Sequence, residues 1–100
     1  MPQVKLKMDR ILKQGTEDNS ADIEEILITT LKGESIFELV RRLSTEGGVL
    51  RKDCFDEKNQ MIETNIILVL NGRIINPYER SNTILQEGDE VTLISMLYGG

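Results

Sequence analysis

One hundred residues, 39% hydrophobic and 29% charged, are enough chain for one modest hydrophobic core and no second one, and the balance excludes global disorder. The net charge of -5 argues against a nucleic-acid partner, whose phosphates demand a basic footprint, and suits a basic protein partner. The absence of histidine and the single cysteine, Cys54, exclude an imidazole base, Ser-His and Cys-His dyads, an intramolecular disulfide, a cysteine-only zinc site and a cysteine-ligated iron–sulfur cluster.

Val4, Leu6 and Met8 alternate with Lys5, Lys7 and Asp9, the period of two of a strand with one buried face. This N-terminus lacks the apolar core of a signal peptide, and no apolar run in the chain approaches the ~18 residues of a membrane span, so a cytoplasmic protein without a membrane partner is expected. The polar stretch 14–20 is a loop, and Ile23 to Leu31 resumes an apolar pattern, which together predict a long-looped hairpin. The acidic set Glu17, Asp18, Asp22, Glu24 and Glu25 reads as solvated loop charge rather than a docking patch.

Ser35-Ile36-Phe37-Glu38 has the form of a capping box, and Ile36, Leu39, Val40 and Leu43 follow the i, i+3, i+4, i+7 spacing of one apolar helix face. Gly47-Gly48 supplies a stop, with Arg41 and Arg42 on a solvated face. Residues 49–64 are illegible beyond an irregular connection with a short helical turn. Cys54, beside Asp53, is disfavoured as a reactive thiol. Ile66 to Leu70 is an apolar run of strand length, expected to be central and covered on both faces. Asn71-Gly72 signals a type I′ hairpin with Arg73-Ile74-Ile75 as its return arm, ended by Pro77. A turn at Gly88-Asp89 opens the last strand, Glu90 to Met96. The sum is a single α+β domain over residues 1–100, a sheet with one helix across one face.

The sequence closes Met96-Leu97-Tyr98-Gly99-Gly100, directly after that strand. Without Cβ atoms, Gly99 and Gly100 can thread a narrow channel and let a reagent reach the carboxyl carbon of Gly100; the competing reading is a frayed terminus. Met96 and Leu97 either finish the core or dock in a partner's groove. Tyr98, a large aromatic with a polar end, is the better anchor.

This order of elements resembles the β-grasp sulfur carriers of the MoaD, ThiS and ubiquitin-related modifier group over nearly the whole chain. The residues that carry the resemblance are Gly33 to Leu39 entering the helix, Val69-Leu70-Asn71-Gly72-Arg73 at the hairpin, Leu85 to Val91 before the last strand, and Gly99-Gly100. The hairpin and the Glu87-Gly88-Asp89-Glu90-Val91 turn are similar to MoaD or ThiS, whereas the length and the Ile94 to Gly100 ending are similar to the ubiquitin-related modifier; the MoaD-like branch is favoured. The resemblance implies a ubiquitin-like β-grasp, a mixed sheet of four to five strands with one main helix. It also implies that Gly100, with Gly99, is the site of chemistry, while Met96, Leu97 and Tyr98 bind partners.

In such a cycle an adenylyltransferase of the MoeB or ThiF type, itself using ATP and Mg²⁺, activates the Gly100 carboxylate. A persulfide sulfur then converts it to a thiocarboxylate. In MoaD-like use the sulfur goes to a molybdopterin precursor on the large subunit of molybdopterin synthase; in ThiS-like use it goes to the thiamin thiazole, and in modifier-like use to tRNA. The chain itself is then a carrier and not an enzyme, with no bound cofactor and no metal ligands. A protein modifier joined to lysine through Gly100, and a noncovalent ubiquitin-like adaptor, are the alternatives. An RNA-binding β-grasp is disfavoured by the acidic charge and by aromatics limited to two Phe and two Tyr.

Overall fold

The computed structural model describes residues 2–14, 23–45 and 47–96. In chain order its elements are strands β1 (Gln3–Asp9) and β2 (Ile23–Thr29), helix α1 (Ile36–Leu43), strands β3 (Phe55–Asp56), β4 (Met61–Ile62), β5 (Ile66–Leu70) and β6 (Arg73–Ile75), and strand β7 (Glu90–Ser95). Five strands form one mixed sheet in the order β2-β1-β7-β5-β6, and β3 and β4 form a separate small hairpin.

The registers explain which side chains meet. β1 and β2 are antiparallel, with Val4 opposite Ile28 and Leu6 opposite Ile26. β1 and β7 run parallel, with Leu6 opposite Val91 and Met8 opposite Leu93, and β7 meets β5 antiparallel with Leu68 opposite Leu93. Because successive strand residues face opposite ways, these pairs put Val4, Leu6, Met8, Leu68, Val91 and Leu93 on one face, where all are buried. Helix α1 lays Ile36, Leu39, Val40 and Leu43, all buried, into the same core. Each such aliphatic side chain contributes about 1.5–3 kcal/mol on full burial.

The capping box forms as expected: Ser35 Oγ accepts from the Glu38 N–H at 3.1 Å, and Glu38 Oε1 accepts from the Ser35 N–H at 3.0 Å. The helix nevertheless ends at Leu43, before the glycines. Gly48 serves a different purpose, close approach, since a Cβ there would lie 2.4 Å from the Leu43 carbonyl oxygen. Asn71 and Gly72 hold φ of 51° and 85°, as a type I′ turn requires. The Asn71 side chain also accepts from the Glu90 N–H at 2.9 Å and donates to Asp89 at 3.0 Å, tying this turn to the entry of β7.

Four sequence expectations are corrected. The central strand is β7, not Ile66–Leu70, and the outer side chains of β5, Ile67 and Val69, are half-buried rather than covered: one helix covers one face only. Residues 49–64 contain the β3–β4 hairpin besides a 3-10 turn at Lys52–Cys54; two-residue strands are too short to show a period. Glu24 and Glu25 belong to β2, not to the loop, and pair with Lys13 at 2.7 Å and with Lys5 and Lys7 at 3.9 Å; Glu17, Asp18 and Asp22 lie outside the described residues. Arg42 is no free solvated charge, since its Nε lies 2.8 Å from buried Glu34. Among the described residues, no helix is long and apolar enough to cross a membrane.

Candidate functional site

The tail leaves the end of the central strand, and its root is fixed by two short hydrogen bonds. The Ser95 N–H donates to Asp9 Oδ2 at 2.7 Å, and the Met96 N–H donates to the Asn65 carbonyl at 2.7 Å. Asp9 is itself buried, so the first bond is made away from water, where leaving either group unpaired is costly. Alternation in β1 gives Asp9 the look of a solvent-facing residue; the Ser95 N–H that it accepts from decides otherwise. Asp9→Ala removes the acceptor and is expected to cost about 1–3 kcal/mol of unfolding free energy, measurable by urea denaturation. Met96 is 53% exposed, which rules out that it finishes the core and leaves it available to a partner. The remaining predicted site residues, Leu97, Tyr98, Gly99 and Gly100, lie outside the described residues.

The outer face of the sheet divides into two halves. Over β1 and β2 it is mixed: Leu27 stands exposed opposite Lys5, while Lys7 reaches Glu90 at 2.7 Å and Glu25 at 3.9 Å. The Glu90 hydrogen bond and charge raise the Lys7 pKa, and the reciprocal bond lowers that of Glu90. Over β5, β6 and β7 the face is apolar, with Ile67 opposite Ile94, and Val69 opposite both Thr92 and Ile74. Ile74 is 67% exposed. This patch was missed in the sequence, although a signal existed: an apolar run in a sheet with one covering helix must leave alternate residues, Ile67 and Val69, on the open side. It runs along the strand that ends at Ser95, so a partner seated on it lies beside the tail root.

The sulfur of the only cysteine is not part of this surface. Cys54 is buried with its thiol directed at the Leu12 carbonyl, 3.8 Å away. Burial, then the Asp53 carboxylate, push the thiol up to about 12. Iodoacetamide at mildly alkaline pH is therefore expected to leave the folded protein unlabelled and to modify Cys54 promptly in guanidinium, as intact mass would report. Among the described residues, no group of three or more His, Cys, Asp or Glu is placed to hold a metal ion.

Comparison with known proteins places this geometry. The model of the ThiS family matches residues 15–100. No curated protein gives a significant match. Among solved structures, the chain is similar to Urm1 from Trypanosoma brucei, at 18% identity and a TM-score of 0.66, over 98% of this chain and 95% of that one. It is also similar to SAMP1 from Haloferax volcanii, at 12% identity and a TM-score of 0.60, over 98% and 99% of the two chains. These likenesses show the ubiquitin-like β-grasp fold, which the mixed sheet and single helix already describe. With a family model matched across most of its length, and with its last strand handing the chain on at Met96, the protein belongs to the ThiS family of β-grasp sulfur carriers.

Proposed function

We propose that this protein carries sulfur as a thiocarboxylate on Gly100 and is the substrate, not the catalyst, of each step. A bare carboxylate is a poor electrophile. An activating enzyme of the MoeB or ThiF type, with ATP and Mg²⁺, joins the Gly100 carboxylate to AMP and releases pyrophosphate. A persulfide sulfur on a donor then attacks the acyl carbon and expels AMP. Cleavage of the resulting S–S bond by a second thiol leaves the thiocarboxylate and a disulfide on the donor. Gly99 and Gly100 supply slimness and the reacting carbon, and Met96, Leu97 and Tyr98 grip the partner's groove. We place the cycle in the cytoplasm and the sulfur's destination in a molybdopterin precursor, held by the large subunit of a molybdopterin-synthase-like complex.

The observation that carries this reading is the central position of β7 within a ThiS-family chain, braced at Asp9 and Asn65 immediately before the tail. A strand fixed on both sides holds the start of the tail at a constant place, and so reduces the ordering a partner must impose. A second reading, conjugation of Gly100 to a lysine amine, is favoured by the resemblance of the Ile94 to Gly100 ending to the ubiquitin-related modifier. Both readings use the same activation step.

That step is measured by ATP–pyrophosphate exchange with an activating enzyme of either type. Exchange dependent on this chain is expected; its absence with both types would remove the proposal. Ile74→Asp places a charge on the apolar half of the sheet where it touches no core residue. It is expected to raise the protein concentration needed for half-maximal exchange by roughly tenfold or more, in keeping with loss of a central apolar contact, with no change in the unfolding midpoint.

A further inference from the structure

A small cleft lies beside the start of helix α1 and, among the described residues, holds an arginine without a counter-ion. It has a volume of about 140 Å³ and is lined by Phe37, Met61, Ile62, Thr64, Pro77 and Arg80. Arg80 is 9% exposed. Its Nη2 donates to the Ile66 carbonyl at 3.3 Å, while its Nε is buried with no hydrogen-bond partner. Among the described residues no carboxylate pairs with it, and burial pushes its pKa below the usual arginine value with no neighbouring charge opposing the shift. Among the described residues, other arginines are paired with acids, as Arg42 joins Glu34 and Arg73 joins Glu79. A guanidinium taken out of water and left unpaired is costly, and the cost is relieved by an anion that reaches it.

The walls say what form that anion takes. Four of the six lining residues are apolar, and Met61 at the rim is 38% exposed. The volume is below the roughly 300–1,000 Å³ of sites that enclose whole small molecules, so the cleft is sized for one side chain. The Phe37 wall is itself held in place: its ring meets Phe55 edge-on at 5.4 Å, and the Arg41 guanidinium lies 5.8 Å over the Phe55 ring. We propose that this cleft receives a glutamate side chain of a protein partner, its carboxylate accepting from Arg80 and its methylenes lying against Phe37, Met61 and Pro77. Ile66, whose carbonyl anchors Arg80, is directly opposite Ser95 in the sheet. A partner holding this cleft thus stands at the end of the sheet from which the tail departs, although the binding itself does not depend on any chemistry at Gly100.

Titration of the isotopically labelled full chain with N-acetyl-glutamate amide tests this by NMR. Saturable shifts are expected at the Phe37 and Thr64 amides and at the Arg80 Nε–H, with a dissociation constant on the order of 10 mM for one charge-assisted contact. The glutamine counterpart is expected to bind roughly fivefold or more weakly, because it lacks the charge. Arg80→Gln should remove the saturable shifts. Since Arg80 also supports the Ile66 carbonyl, Met61→Glu serves as a second variant: its own carboxylate at the rim should weaken the probe roughly fivefold by like-charge repulsion. No saturable shift at these positions, or equal binding of the glutamine counterpart, would overturn the proposal. Inorganic phosphate binding as well as the glutamate probe would also overturn it, by making the cleft a general anion site.

Discussion

Deleting Gly99 and Gly100 is expected to abolish chain-dependent pyrophosphate exchange and all sulfur transfer while leaving the folded domain as stable as before. The two residues have no side chains to pack, and the hydrogen bonds that fix the last strand are made at Ser95 and Met96, upstream of the deletion. Activation needs a carboxylate at the reach of Gly100; after the deletion the carboxylate belongs to Tyr98, two residues short and flanked by an aromatic ring. Thermal unfolding supplies the control. A fall in Tm of more than about 4 °C, the shift that accompanies about 1 kcal/mol in a domain of this size, would make the tail a structural element and contradict its role as a presented substrate.

The largest expected effect on stability comes from Glu34, which no functional reasoning singles out. Its carboxylate is buried, accepts from Arg42 Nε at 2.8 Å and Nη2 at 3.0 Å, and takes the Leu31 N–H at 3.0 Å. Arg42 in turn donates to the Thr29 carbonyl at 3.0 Å, so the pair joins the end of β2 to the helix. Glu34→Ala is expected to cost about 2–3 kcal/mol. That is below the most severe buried-pair losses because Arg42 is 38% exposed and recovers some hydration. Against a typical total of about 5–15 kcal/mol, the loss would be plain in urea unfolding.

The same pair predicts a pH dependence. Burial alone would raise the Glu34 pKa, but the Arg42 hydrogen bonds, the Leu31 N–H and the Arg42 charge together outweigh it and hold the carboxyl below its ordinary value. A group with a depressed folded-state pKa binds fewer protons folded than unfolded through that window. Its stabilisation is therefore complete above the ordinary glutamate value and is lost as pH falls through the folded one. The stability difference between wild type and Glu34→Ala should accordingly be full at neutral pH and shrink on acidification below the ordinary glutamate range. A difference that stays constant into acid would show that the carboxylate's charge is not what stabilises this corner.

Local signals in the sequence were read correctly where one residue type has one physical use. Ser35 with Glu38, Asn71 with Gly72, and the alternation of Val4, Leu6 and Met8 each state a backbone geometry that the fold then adopts. What escaped was set by partners distant in sequence. Asp9 is buried because Ser95, 86 residues away, donates to it. Arg42 is paired because the turn after β2 presents Glu34. Ile66 to Leu70 reads as doubly covered because an apolar run looks alike whether its second face meets a helix or a binding partner. The candidate site divides in the same way: the tail was legible as a motif, whereas the apolar half of the sheet beside it required the register of β5, β6 and β7.

The most direct test of sulfur carriage is the intact mass of the chain after incubation with an activating enzyme, ATP, Mg²⁺ and a persulfide donor. The mass is predicted to rise by the exchange of one oxygen for one sulfur, with the added mass confined to the fragment containing Gly100 and absent from the chain lacking Gly99 and Gly100. An unchanged mass, under conditions in which the same enzyme turns over pyrophosphate in response to this chain, would contradict it.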